Sequence, residues 1–194
     1  MRIFTAVLPP ADVLAHLDDF LDVRRHAAAL RWSRVEQLHL TLAFAAEVDE
    51  WRLDEVVERT AAAAARRTAF DLRVAGGGAF PHADAGKVLW AGLEVDAAGA
   101  GELEALARGA RSALSTAGAA VDGGRFRPHV TVARSGRPVQ LSDWVRLLDA
   151  YAGPAWRVDE VAVVASHLGE GARRRPRHEV LATVPLGAGP ARTP

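Results

Sequence analysis

Alternating apolar and polar positions mark two segments of the chain as β-strands with the same tetrapeptide pattern. One segment reads HLTL at residues 39–42 and the other reads HVTV at residues 129–132. Because successive strand side chains point to opposite faces, the histidine and threonine of each segment share one face, and the apolar residues point into a core. Two such strands could therefore build a single site from two imidazoles and two hydroxyls.

Hydrophobic periodicity along the rest of the chain predicts the order β-α-β-α-β-β-α-β-α-β-β. After an opening strand, helices are predicted at residues 9–30, 48–67, 98–117 and 141–151, and further strands at residues 38–44, 70–74, 87–95, 126–134, 156–166 and 179–185. The glycines at residues 76–78 are predicted to form a turn. Each motif strand precedes a helix, which favours a duplicated half whose motif strands lie side by side in one sheet.

Length and composition indicate the number of domains and exclude several classes of protein. The 194 residues suit one domain or two small lobes that share a core, with a tail at residues 187–194 that is rich in Gly, Pro and Ala and is predicted to be disordered. The chain has no cysteine, which excludes disulfides and thiol catalysis. No apolar run approaches the roughly 20 residues that cross a bilayer, and no signal cleavage site follows the first strand. We therefore expect a cytoplasmic protein without membrane contact.

Charge limits the partners that the protein can bind. The formal net charge is zero, which argues against coating long nucleic acids but allows binding of one end of an oligonucleotide. No obligate protein partner is predicted, and a monomer is expected.

The two motifs suit acid–base chemistry on a phosphate ester. One neutral imidazole can take a proton from water while the other, protonated, gives a proton to the leaving oxygen. The threonine hydroxyls can donate hydrogen bonds to the non-bridging oxygens. A di-histidine metal site is the alternative, with His82 or Asp84 as the recruited third ligand, although neither has a matched spacing. We expect no metal and no other cofactor.

At these residues the chain resembles the 2H phosphoesterase superfamily, and specifically the bacterial and archaeal RNA 2',3'-cyclic phosphodiesterases, historically called 2'-5' RNA ligases. Besides the two motifs, the resemblance rests on RIF at residues 2–4, FP at residues 80–81, VLWAG at residues 88–92 and FRPHVTVAR at residues 126–134. It implies an α+β fold over residues 1–186, in which two similar lobes of mixed or antiparallel sheet, flanked by helices, surround a central cleft.

The resemblance also implies a reaction and the roles of four residues. The reaction is metal-independent opening of a 2',3'-cyclic phosphate on RNA or a nucleotide to a 2'-phosphate. His39 is implied as the proton donor to the departing 3'-oxygen, and His129 as the proton acceptor that activates water. Thr41 and Thr131 are implied to hold the phosphate. The residues alone leave the acid and base roles open, because the two motifs are chemically equivalent.

Three further residues are secondary candidates. An arginine at the position of Arg134 is common in the family and suits a phosphate, but strand alternation places it on the face opposite His129. Either the strand bends there or Arg134 is a structural or rim residue. Phe126 and Trp32 could stack on a base, although a core position is favoured for both. The arginines at residues 173–175 and 177 are predicted to lie in a solvated hairpin loop, and no partner is predicted for His178.

Three other functions compete with hydrolysis of an RNA-end or nucleotide 2',3'-cyclic phosphate. The same residues could ligate a 2'-5' bond in the reverse direction. They could also hydrolyse another small phosphodiester, such as 2'-5' oligoadenylate. A non-catalytic module that binds RNA ends or nucleotides is less favoured, because a binder has no need for two titratable histidines.

Overall fold

The computed structural model describes residues 1–121, 123–170 and 176–187. Its strands are β1 Ile3–Val7, β2 Arg31–Trp32, β3 Leu40–Ala45, β4 Phe70–Phe80, β5 Gly86–Glu94, β6 Val130–Val139, β7 Ala152–Val158, β8 Glu160–His167 and β9 Arg177–Pro185. Its α-helices are α1 Ala11–Asp22, α2 Leu53–Ala64, α3 Ala97–Thr116 and α4 Ser142–Asp149. The predicted tail after residue 187 and the arginines at residues 173–175 lie outside the described residues.

The strands form one antiparallel sheet whose two halves have the same construction. Its order is β7-β4-β5-β6-β3-β1-β8-β9, and the short β2 pairs with β6. The half β3-β1-β8-β9 mirrors the half β6-β5-β4-β7, so that β3 and β6 meet in the middle. They are joined where Leu40 lies opposite Val130. The predicted α+β fold with two similar lobes is thereby confirmed.

The core forms where the helices pack on this sheet. In α3, Leu103, Leu106 and Leu114 recur at helical spacing and are buried. Asp96 caps the start of the helix: its side chain accepts a hydrogen bond from the Gly99 amide at 2.7 Å and so satisfies a donor that the first turn leaves unpaired.

The first helix is shorter than the predicted 9–30. It ends at Asp22 because Leu21 is its last buried residue and Val23 is exposed. Arg24 then donates a hydrogen bond to the Phe20 carbonyl at 2.7 Å, which satisfies one acceptor at the end of the helix. A 3-10 turn at Arg25–Ala27 and the strand β2 follow.

Two strand predictions were wrong. The glycines at residues 76–78 lie inside β4 rather than in a turn. Gly76 has a φ of 69°, which favours glycine, at an irregularity of the strand. Close packing requires the other two, because a Cβ on Gly77 would lie 2.4 Å from Leu148 Cβ and a Cβ on Gly78 would lie 2.1 Å from the Trp90 ring. The single strand predicted at residues 156–166 is divided between two strands, β7 and β8, which lie in opposite halves of the sheet.

Candidate active site

The central pair of strands brings the two motifs together. Leu40 pairs with Val130 in antiparallel orientation, and the residues on either side of this pair, His39 and Thr41 in one motif and His129 and Thr131 in the other, all line the same cleft. Leu40 and Val130 are buried, whereas the histidines and threonines beside them are only half-buried. The four polar side chains therefore share one face at the centre of the sheet, as strand alternation predicts.

A β-bulge at the last residue of the second motif explains the position of Arg134. Trp90 pairs with Thr131, but its neighbour Leu89 pairs with Ala133, so that Val132 is an extra residue in β6. Val132 and Ala133 are both buried, and the alternation is reset after them. Arg134 consequently lines the same cleft as His129 and Thr131. Of the two alternatives, the bend in the strand is the one observed.

The first motif is followed by the same irregularity. Thr5 pairs with Ala43, whereas Ala6 pairs with Thr41, which makes Leu42 the extra residue of β3. Phe44 therefore returns to the cleft face at the position that corresponds to Arg134 in the other half. Both halves therefore have a β-bulge at the same position, but it brings Phe44 to the cleft in one half and Arg134 in the other.

These residues line a cleft with a volume of about 690 Å³, a size typical of sites for small molecules and nucleotides. The side chains that line the cleft carry positive charge, although the whole chain has a formal net charge of zero. The described residues that line it include three arginines and three histidines but no carboxylate, and they are Arg2, Phe4, Arg31, Trp32, Ser33, Gln37, His39, Thr41, Phe44, His129, Thr131, Arg134, Ser166, Leu168, Pro176 and His178.

Both motif histidines are oriented by the same backbone contact. His39 Nδ1–H donates to the Gln37 carbonyl at 2.7 Å, and His129 Nδ1–H donates to the Arg127 carbonyl at 2.6 Å. A carbonyl can only accept, so each contact fixes the proton on Nδ1. Nε2 is then the nitrogen of each ring that is available to a bound molecule, as an acceptor when neutral and a donor when protonated.

Their surroundings lower the pKa of both histidines, but to different extents. Burial, with smaller contributions from His178 and Arg134, lowers the pKa of His39 to about 4. Burial and the nearby Arg134 also lower the pKa of His129 below its ordinary value. Both shifts favour the neutral imidazole near pH 7.

The aromatic neighbours of the two histidines also differ. The ring of His39 stacks on Phe4 with centroids 4.6 Å apart and an interplanar angle of 24°. The ring of His129 meets Phe80 edge-on at 5.0 Å and lies 6.0 Å from Trp90. These contacts hold each ring by packing against an element of its own half.

His178 is a cleft residue that sequence reasoning missed. Its ring meets His39 edge-on with centroids 5.4 Å apart and also contacts Phe4 at 5.0 Å. Burial lowers the pKa of His178 below its ordinary value. It reaches the site because β9 pairs with β8, and β8 pairs with β1, which carries Phe4. No spacing along the sequence signals this approach.

Of the two threonines and the two aromatic residues predicted for the site, all but Phe126 line the cleft. Thr41 and Thr131 line the cleft, and Ser33 Oγ donates to the Thr131 carbonyl at 2.9 Å. Trp32 also lines the cleft while packing edge-on against Trp144 at 4.9 Å. Phe126 packs against the hydrophobic core and is not among the described residues that line the cleft. The structure thus brings Trp32, but not Phe126, to the site.

The recruited metal ligands considered above are not at the cleft. His82 and Asp84 lie in or beside the 3-10 turn Ala83–Ala85 and are absent from the cleft lining. Within residues 1–121, 123–170 and 176–187, no three histidine or acidic side chains come together as a metal site. In the same part of the chain, no helix has the length and apolarity that a membrane span requires.

Comparison with known sequences gives a consistent result. The profile of a family described as the 2'-5' RNA ligase superfamily matches residues 9–170. An RNA 2',3'-cyclic phosphodiesterase of Geobacillus stearothermophilus is 32% identical over 165 residues, which cover 84% of this chain and 50% of the relative. One of Aeropyrum pernix is 37% identical over 113 residues, or 58% of this chain and 61% of the relative. The chain thus spans about half to three fifths of the length of these two relatives.

Comparison with solved structures supports the fold. TT0787 of Thermus thermophilus is 27% identical, superposes with a TM-score of 0.77, and the match covers 97% of this chain and 100% of the other. LigT of E. coli in apo form is 24% identical with a TM-score of 0.72, and the match covers 96% and 97% of the two chains. The two-lobed architecture is therefore shared over nearly the whole chain.

Proposed function

The chain belongs to the 2'-5' RNA ligase superfamily, and from this premise we propose that it hydrolyses 2',3'-cyclic phosphates at RNA ends or on nucleotides. The supporting observation is the Leu40–Val130 pairing, which places both His-x-Thr motifs in one cationic cleft. The relatives named RNA 2',3'-cyclic phosphodiesterase give the substrate class. The enzyme is proposed to act as a cytoplasmic monomer, without a membrane or an obligate protein partner.

The proposed reaction uses the two histidines on opposite sides of the phosphorus. His129 Nε2 takes a proton from water as the water oxygen forms a bond to phosphorus. The bond from phosphorus to the 3'-oxygen breaks, and His39 Nε2–H gives its proton to that oxygen. The product is a 2'-phosphate with a free 3'-hydroxyl, and one proton has moved from His39 to the product while His129 has gained one. Each transfer typically contributes about 10²–10⁴-fold in rate.

Thr41, Thr131 and Arg134 are proposed to hold the phosphate during this reaction. Within the described residues, neither threonine hydroxyl makes a hydrogen bond, and Arg134 makes no ion pair. Their donors are therefore available to the non-bridging oxygens, where charge accumulates in the transition state. The anion also favours the protonated form of His39, which counteracts the effect of burial on its pKa.

Turnover of a short RNA that ends in a 2',3'-cyclic phosphate tests this function. We expect the wild type to form the 2'-phosphate in excess EDTA, and both His39→Ala and His129→Ala to lose at least about 10²-fold in kcat/KM. His26→Ala, which changes a histidine outside the cleft, is the matched control and retains activity. Binding of the RNA without any turnover by the wild type would instead indicate a binding module.

A sulfur substitution distinguishes the donor from the acceptor. When sulfur replaces the bridging 3'-oxygen of the cyclic phosphate, the leaving group is a thiolate. Because a thiol has a pKa of only about 8.5, a thiolate is a much weaker base than an alkoxide and departs without a proton from a general acid. The activity of His39→Ala should then approach that of the wild type, whereas His129→Ala should remain impaired. Rescue of His129→Ala instead would reverse the two assignments.

A further inference from the structure

We propose that Arg31, beside Arg134, forms a second phosphate subsite, which binds a phosphate on the 5'-oxygen of the nucleotide that carries the cyclic phosphate. This inference rests on the proposed function and refines its substrate class. The enzyme would then discriminate by the 5' phosphate: RNA ends and 5'-phosphorylated nucleotides are preferred to nucleoside 2',3'-cyclic phosphates that have none.

The two arginines form a like-charge pair across neighbouring strands. Arg31 of β2 lies directly opposite Arg134 of β6, and both residues line the cleft. Directly opposed side chains share a face with Cβ atoms about 5 Å apart, and like charges in such positions destabilise the sheet. The repulsion also lowers the pKa of Arg134, after burial, which is the larger cause. The fold thus keeps an unfavourable arrangement that an anion would relieve.

Acidic partners are available in this chain but do not reach the pair. Neither Arg31 nor Arg134 makes an ion pair within the described residues, although Arg34 nearby pairs with Glu36. Eight further arginines of the described residues do pair with a carboxylate, and they are Arg25, Arg52, Arg59, Arg67, Arg108, Arg146, Arg157 and Arg177. Two unpaired guanidinium groups at a cleft whose described lining has no carboxylate are suited to bind phosphate.

The position of Arg31, rather than that of Arg134, indicates a second phosphate: Arg134 acts electrostatically on both motif histidines, whereas Arg31 acts on Arg134. Because β5 occupies one edge of β6, β3 and β2 follow one another along the other edge, with Leu40 opposite Val130 and Arg31 opposite Arg134. Because Val132 is an extra residue, the β5 partners of Val130 and Arg134, which are Ala91 and Val88, are only three residues apart, or about 10 Å at 3.3 Å per residue. A phosphate at the motif histidines leaves Arg31 to a neighbouring anion, and the 5' phosphate is the nearest one that an RNA end provides.

The test compares substrates that differ only in the 5' phosphate. We would measure kcat/KM for cytidine 2',3'-cyclic phosphate, for its 5'-phosphorylated form, and for a dinucleotide that ends in the same cyclic phosphate. The wild type should prefer the two phosphorylated substrates by about tenfold, the contribution of one charge-assisted hydrogen bond. Arg31→Gln should bring this ratio close to one. Circular dichroism would verify that the variant is folded.

Arg137→Gln is the matched control, because Arg137 is an exposed arginine of the same strand outside the cleft lining. It should leave the ratio at the wild-type value. In a plot of log kcat/KM against log salt for the dinucleotide, Arg31→Gln should also reduce the slope by about 0.7, the value for one phosphate contact on a single strand. An unchanged ratio in Arg31→Gln, or an equal effect of Arg137→Gln, would overturn the subsite.

Failure of the proposed function would be visible separately. If the wild type turns over none of the three substrates, hydrolysis of these cyclic phosphates is refuted. The subsite is then decided by fluorescence titration with cytidine 3'-monophosphate, with and without a 5' phosphate. About tenfold tighter binding of the 5'-phosphorylated ligand, lost in Arg31→Gln, would support the subsite, and equal binding by the wild type would refute it.

Discussion

The pH dependence of kcat/KM follows from the burial of the two motif histidines. Burial lowers the pKa of His39 to about 4 and lowers that of His129 below 6.5. The proposed reaction requires one proton shared between the two rings, and kcat/KM reports the ionisation of the free enzyme. The optimum should therefore lie below about pH 6.5, where the pair carries a single proton.

The size of the effect can be worked out from these values. Above the higher of the two pKa values, the singly protonated form of the pair decreases about tenfold for each pH unit. From about pH 6.5 to about pH 8.5, kcat/KM should therefore decrease about 100-fold. The shape is the same whichever histidine is the acid, because the apparent pKa values belong to the pair.

Initial rates at substrate concentrations well below KM, measured from about pH 4 to about pH 8.5 at constant ionic strength, provide the assay. Rates at saturation provide an internal comparison: a bound phosphate anion favours the protonated imidazole, so kcat should decrease at higher pH than kcat/KM does. A kcat/KM that is constant between about pH 6.5 and about pH 8.5, or that is greatest above about pH 7, would show that neither histidine has the lowered pKa that burial produces.

Three other outcomes follow from the same structure. The pKa of His39 is lowered from 6.5 to about 4 in the folded state, so its contribution to stability is present above pH 6.5 and is lost as the pH falls towards 4. The free energy of unfolding, measured with urea, should therefore decrease by up to about 3 kcal/mol over this range, and by less in His39→Gln. Gly78→Ala should lower the free energy of unfolding by about 1–3 kcal/mol and lower activity, because the added Cβ would lie 2.1 Å from the Trp90 ring beside His129. Gly101→Ala is the control and should not destabilise the protein, because nothing lies within 4 Å of the added Cβ. Arg134→Gln should weaken inorganic phosphate binding about tenfold by calorimetry, and an unchanged affinity would remove Arg134 from the phosphate site.

The alternation of residues along each strand was sufficient to predict that the motif histidines and threonines share a face, but not which residues lie beside them in the cleft. The histidine and threonine of each motif share a face because strand alternation is a property of the strand itself. The face on which Arg134 lies depends on the extra residue at Val132, and this bulge exists only in the register with β5. Alternation alone therefore gave the wrong face for Arg134, and the corresponding bulge at Leu42 places Phe44 on the cleft face in the other half.

Residues brought in by long-range pairing could not be predicted at all. His178 reaches His39 through three successive strands, and neither its spacing nor its neighbours indicate this contact. The glycines at residues 76–78 were mistaken for a turn because a glycine required by a turn and one required by close packing are identical in the sequence. Arg31 was overlooked because it becomes notable only when placed opposite Arg134.

The two motifs have the same chemistry in the sequence, and the structure makes them different through their neighbours. Each histidine donates Nδ1–H to the carbonyl two residues before it, so the backbone treats both alike. His39 stacks on Phe4 and contacts His178, whereas His129 meets Phe80 edge-on. After matching bulges, one half presents Phe44 and the other presents Arg134. A duplicated backbone therefore supplies two imidazoles with the same backbone contact, and the neighbouring side chains make their burial and their electrostatic surroundings unequal.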